Sequence, residues 1–119
     1  MRADARELAA VFAGGCIGAV ARAGVAQALP VHPGAWPWAT FLVNVAGAFL
    51  LAVVVALPRG HRLLGTGFCG ALTTFSAFQL ELLRLIDANA VAMGAGYAVA
   101  SISAGLVAVA AGTRLMRRA

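Results

Sequence analysis

Asn44, Thr73, Thr74, Ser76, Glu81, Tyr97 and Ser101 are polar or ionisable side chains set inside long apolar stretches of a 119-residue chain. Each must hydrogen-bond to protein or line a wet cavity, because hydrocarbon offers it no partner. Between them they supply amide and hydroxyl donors but neither a buried Lys nor a cysteine framework. That inventory suits contact with a small ion better than covalent chemistry. Phe75 and Phe78, three apart on one helical face, add ring edges of positive potential that can border an anion path without trapping the ion. By default such a pair packs in a core or faces lipid, and only the neighbouring break in the helix favours the anion path.

The densest part of this pattern is 67–78, Gly67-Phe68-Cys69-Gly70-Ala71-Leu72-Thr73-Thr74-Phe75-Ser76-Ala77-Phe78. Glycines at 65, 67 and 70 weaken a helix just before three hydroxyls become available. Ser76-Ala77-Phe78-Gln79 has capping-box spacing, so Ser76 is the expected N-cap of a restarted half-helix. A restart would offer amide donors at a positive dipole end, and the preceding half would leave carbonyl oxygens suited to a cation. The competing reading is a kink filled by hydroxyl back-bonding.

The remaining polar positions admit two roles each. Asn44 lies six residues past Trp38, roughly 9 Å into a helix; it either bonds a neighbouring helix or presents an N–H to a dehydrated anion. Glu81 and Arg84, at i,i+3 spacing, can pair with each other, and Glu81 near an anion path must be neutralised, hydrogen-bonded or turned aside. Tyr97 and Ser101, one turn apart, form a short polar track or make interhelical bonds. Arg22 snorkels, or concentrates anions at a vestibule.

The elements that must position these residues are four apolar runs, 8–29, 38–57, 63–86 and 91–115, each long enough to cross roughly 30 Å of hydrocarbon. With 62% hydrophobic residues and a mean hydropathy of +0.92, the chain is no soluble globular domain. It reads as a single all-α membrane domain over 1–119, with four transmembrane helices and the third broken in mid-membrane. Short loops with Pro30, Pro33, Pro37 and Pro58 at helix ends leave no room for a soluble domain. Trp36 and Trp38 are expected as interfacial anchors. Gly14 with Gly18, Ser101 with Gly105, and Ala104 with Ala108 have close-packing spacing, which argues for a tight bundle within an oligomer.

The chain has nine Arg, no Lys and a net charge of +5. The cations sit at segment ends and not along an exposed face with interleaved aromatics, so nucleic acid is not the expected partner. Four crossings put Arg2, Arg6, Arg59, Arg62, Arg114, Arg117 and Arg118 on one side and Arg22 and Arg84 on the other. Both termini are therefore expected in the cytoplasm. Arg2 and Arg6 before an apolar run imitate a signal peptide, but the run exceeds a usual signal core and reads as a retained helix. Cys16 and Cys69 fall inside apolar runs as packing residues.

These segments resemble the CrcB/Fluc fluoride channel family. The resemblance rests on Gly14-Gly15-Cys16-Ile17-Gly18-Ala19-Val20-Ala21-Arg22, on Thr40-Phe41-Leu42-Val43-Asn44-Val45-Ala46-Gly47-Ala48-Phe49, and above all on 67–78. It implies passive fluoride export through the inner membrane of a bacterium and a role in fluoride resistance. It also implies an antiparallel dimer of four-helix subunits with two pores, and a structural sodium ion (Na+) at the dimer centre. By position Asn44 would be a pore donor, and Phe75 and Phe78 the ring pair contacting fluoride. Gly70 and Thr73 would give backbone carbonyls to sodium. Ser76, Glu81, Tyr97 and Ser101 would border the pathway. Ala23, Ala71 and Ala77 depart from the family pattern, and Gly105 and Val109 shorten the hydroxyl track of the fourth segment.

Two other classes are compatible with four short helices. A proton-coupled multidrug transporter needs an embedded exchangeable acid, for which Glu7 and Glu81 are poorly placed. A noncatalytic membrane assembly subunit would pass no ion. The seven-to-two Arg split also opposes insertion of one sequence in both directions, so the expected partner is an oppositely oriented paralogue.

Overall fold

The computed structural model describes residues 4–57 and 61–118. Arg2, Pro58 and Arg59, used in the reading above, lie outside the described residues. The described chain is helical almost throughout. Helix α1 spans Ala5–Ala28 and α2 spans Trp38–Val55. A π-helical stretch, His61–Cys69, then passes into the single α turn α3, Gly70–Leu72. After an extended Thr73–Thr74 link come α4, Phe75–Asp87, and α5, Val91–Arg118. Four spans, Ala5–Ala28, Trp38–Val55, Leu63–Asp87 and Val91–Arg118, are long and apolar enough to cross a membrane.

Packing follows the small residues. A Cβ on Gly14 would overlap the Leu63 carbonyl and the Phe68 N–H, and one on Gly67 would meet the Val11 carbonyl at 2.7 Å. Together with Gly18, which abuts the Phe68 carbonyl, these positions let α1 lie backbone to backbone on the π-helical stretch. Such approach gains dispersion contact where water supplies no drive. Gly112 does the same for α5, where an added Cβ would come within 2.8 Å of the Phe49 carbonyl of α2. Gly105, which shares this close-packing spacing with Ser101, faces open space within the chain.

The buried face of α2 carries Ala39, Thr40, Val43, Gly47 and Val54, a helical stripe turned to the other spans. Most large apolar side chains point outward: Phe12 is 74% exposed, Val20 72% and Leu106 68%. That is the inverse of a water-soluble bundle and fits a lipid surround. At the α4–α5 turn, Asn89 takes φ 58°, a left-handed conformation Asn tolerates at a helix C-terminus. The Ala90 N–H reaches back to the Leu85 carbonyl at 2.8 Å.

Trp38 is 53% exposed, while Trp36 is half-buried and packs edge-on against Phe41 at 5.5 Å and Tyr97 at 5.4 Å. The two indoles lie 6.0 Å apart in one aromatic cluster.

Candidate functional site

The third span breaks where the hydroxyls begin. Thr73 (φ −77°, ψ 149°) and Thr74 (φ −150°, ψ 114°) are extended, so the helix ladder is interrupted for two residues. Thr74, not Ser76, caps the restarted helix: its Oγ1 accepts from the Ala77 N–H at 3.1 Å. The capping spacing starting at Ser76 misplaced the start by two residues, because Phe75 and Ser76 already lie inside α4. Ser76 Oγ sits 3.3 Å from Thr74 Oγ1.

Asn44 holds the interruption from the second span. Its Oδ1 accepts from the Thr74 N–H at 2.7 Å, and its Nδ2 donates to the Thr74 carbonyl at 3.1 Å. One carboxamide thus replaces both helical partners of one residue, and one further amide N–H remains beyond these two bonds. Gly47, one turn along α2, leaves room for the Thr73 side chain.

These substitutions release two particular carbonyls. In a continuous α-helix the Thr74 N–H would bond the Gly70 carbonyl, and the Ala77 N–H the Thr73 carbonyl. The first donor goes to Asn44 and the second to Thr74 Oγ1. Thr73 in turn gives both its N–H and its Oγ1 to the Cys69 carbonyl, at 3.0 and 2.8 Å.

Two cavities meet at this break. The wider, about 620 Å³, is lined by Arg22 of α1, by Thr40 and Val43 of α2, and by Thr74, Ser76, Glu81 and Arg84 among others. The narrower, about 310 Å³, is lined by Asn44, Thr73, Thr74, Phe75, Phe78, Ser101 and Ile102. Thr74 lines both. Phe75 and Phe78 stack at 5.8 Å with 24° between their planes, and Phe75 is 70% exposed.

Tyr97 is fully buried behind Phe78, 5.3 Å between ring centroids. A continuous row of rings therefore runs Trp36–Tyr97–Phe78–Phe75. Tyr97 and Ser101 bring their hydroxyls towards each other, yet neither meets hydrogen-bond geometry with any described group. Ser101 lines the narrow cavity; Tyr97 supports its wall. Glu81 is buried and paired with Arg84, Nη1 to Oε1 at 3.2 Å. Cys16 and Cys69 are free thiols, exposed and buried respectively.

The site thus brings Asn44, Phe75, Phe78 and Ser101 to one cavity and Arg22, Ser76 and Glu81 to the other. Gly70 lies in α3 ahead of the break, where a Cβ would meet only open space. Thr40, Thr74 and Arg84 are polar lining residues that the sequence did not single out for the pathway. Thr74 was visible as one of three hydroxyls in the weakened stretch, and Arg84 only as a pairing partner for Glu81. Thr40 was visible only as the first residue of the 40–49 segment that carries the family resemblance.

Four spans long and apolar enough to cross a membrane, the third interrupted at Thr73–Thr74 and held from the second by Asn44, with full charges lining only the wider of these two cavities, define a small membrane protein whose polar groups suit contact with an ion. The chain matches the family model described as CrcB-like protein, Camphor Resistance (CrcB), over residues 9–113, and it belongs to that family. It is 48% identical, over 97% of its length and 93% of the relative's, to the fluoride-specific ion channel FluC 1 of Mycolicibacterium paratuberculosis. To FluC 1 of Streptomyces avermitilis it is 42% identical, covering 86% and 89% of the two chains. To FluC of Gloeothece citriformis it is 35% identical, covering 94% and 98%.

Proposed function

We propose that this protein is a fluoride-selective channel that lets fluoride leave a bacterial cell passively through the inner membrane, and so relieves fluoride toxicity. The observation that carries this reading is the Thr73–Thr74 interruption, clamped by Asn44 beside the Phe75–Phe78 stack. The names and coverage of the relatives support the choice of ion. Fluoride is small and tightly hydrated, so a selective path must exchange its water for close donors without binding it so strongly that it stays. The narrow cavity offers an amide, hydroxyls and ring edges, and no full charge among its lining residues. The wide cavity carries the charges and serves as the vestibule.

The break lies near the bilayer midplane in this reading, and the channel is an antiparallel dimer. Support comes from the lipid-length third span and from Phe75, whose large exposure on a pore-lining ring is what a second subunit would cover. Sodium at the dimer centre fits the chain's own chemistry. Gly70 and Thr73 offer carbonyl oxygens whose usual helical donors are diverted, and hard oxygen donors suit that cation. Bound there, it would supply a fixed positive charge between the two pores. The neighbouring Asn44 and Thr74 bonds keep those carbonyls from returning to the ladder.

Arg asymmetry supports cytoplasmic termini and an oppositely oriented paralogue as partner. Epitope tags on the termini detected equally on both membrane faces would rule out a single orientation.

The deciding experiment is fluoride-electrode recording of efflux from liposomes, with the chain alone and with a co-expressed paralogue. Fluoride leaves much faster than chloride in one of these preparations. Equal rates for the two halides would remove the selective-channel reading, and no flux in either would favour an assembly subunit.

A further inference from the structure

Glu81 is a carboxylate with 8% of its side chain exposed, set in the wall of the wider cavity, which is the vestibule in the fluoride-channel reading. An acid so placed would repel an approaching anion unless something cancels it. Arg84, one turn on along α4, meets it at 3.2 Å, is itself 59% exposed and lines the same cavity, so the acid's charge is countered there by a guanidinium. The other charged group lining this cavity is Arg22, from α1. Arg84 also borders a further cavity, with Asp87, but the ion pair it makes is with Glu81. Two guanidiniums and one carboxylate leave the wide cavity one positive charge. Without Arg84 that net charge is zero, and the acid stands bare.

We infer that Arg84 is a positioning residue for conduction: by pairing with Glu81 it masks the one acid lining the vestibule and keeps that vestibule attractive to fluoride. This rests on the fluoride-channel reading above and adds to it a residue that acts through Glu81 and not by touching the ion.

The test is a charge series at position 84 in whichever reconstituted assembly conducts as wild type, read as initial fluoride efflux at fixed ionic strength. R84K keeps the cation and stays within about twofold of wild type. R84Q falls by roughly tenfold, the scale on which one lost charge alters capture by a focusing cleft, and R84E falls further. E81Q/R84Q conducts better than R84Q, because the exposed acid has gone. Size-exclusion profiles and thermal melts of each variant separate misfolding from lost conduction. If R84Q matches R84K, or E81Q/R84Q is no better than R84Q, the masking role is wrong although the channel reading stands. If the wild-type protein carries no fluoride at all, both fall together.

Discussion

The two cavities on either side of Thr74 differ in size and in chemistry. The wide one, about 620 Å³, holds Arg22, Glu81 and Arg84, while the narrow one, about 310 Å³, is lined by aromatic, aliphatic, amide and hydroxyl side chains. Full charges act over the Debye length, about 8–10 Å at physiological salt, and so gather ions from solution. Neutral donors act only in contact, where they can replace lost water without a deep trap. Full charges line the open cavity alongside the hydroxyls of Thr40, Thr74 and Ser76, whereas the tight one has neutral groups alone, a difference that separates capture from dehydration. The boundary residue has its backbone held from α2 and its hydroxyl engaged in capping α4.

Breaking that boundary has the largest expected effect. Asn44→Ala deprives the Thr74 N–H and carbonyl of their partners at once, and each unsatisfied buried group costs about 1–3 kcal/mol. The expected result is a loss of roughly 2–5 kcal/mol in stability together with loss of flux, measured by unfolding in detergent and by fluoride efflux. A variant that melts like wild type and does not conduct would mean that Asn44 acts on the ion alone and that the clamp is dispensable.

Next in size is the ring pair. Phe78 is held between Phe75 at 5.8 Å and Tyr97 at 5.3 Å, so its orientation depends on α5 as well as on α4. Tyr97→Ala should lower flux by about tenfold, corresponding to the 1.4 kcal/mol scale of one lost ring contact. Tyr97→Phe, which keeps the ring and removes a buried hydroxyl that has no described partner, should remain within about twofold. A large loss in Tyr97→Phe would place the hydroxyl itself on the pathway and extend the narrow cavity along α5.

Much of this arrangement was legible in the residues. Four long apolar runs announced four spans, and the glycines followed by Thr73, Thr74 and Ser76 announced an interruption in the third. The Gly14–Gly18 spacing correctly anticipated a close backbone contact. What could not be read was tertiary in origin. Capping statistics favour Ser over Thr, and only the bond from the Ala77 N–H to Thr74 Oγ1 fixes the start of α4. Nor could spacing show that Asn44 would use both its oxygen and an amide hydrogen on Thr74, because the register between α2 and the third span is set by packing at positions such as Gly47. The π winding of His61–Cys69 has no signature in composition, and Gly105 has the same local spacing as the glycines that do pack.

A smaller effect is expected at Thr74 itself. Thr74→Ser keeps the oxygen that caps α4 and should leave flux within about threefold, whereas Thr74→Val keeps the shape and removes the cap, costing about 1 kcal/mol of stability. Efflux and melting temperature measured on both variants separate the cap from the methyl. If serine fails as badly as valine, the methyl's packing on the boundary, and not its hydroxyl, keeps the two cavities distinct.

The mildest change is at the far end of the wide cavity. Arg22 is only partly buried and lines that cavity from α1, outside the region of contact donors, so its contribution is long-range and should be screened. Arg22→Gln is expected to lower fluoride efflux about threefold at low ionic strength and to converge on wild type as an impermeant salt is raised, because the Debye length shrinks from about 30 Å at 0.01 M to about 3 Å at 1 M. Arg22→Lys should track wild type at every salt concentration. A deficit in Arg22→Gln that persists unchanged at high salt would show Arg22 touching the ion directly. The charged cavity would then take part in dehydration as well as capture, and the division of labour across Thr74 would have to be given up.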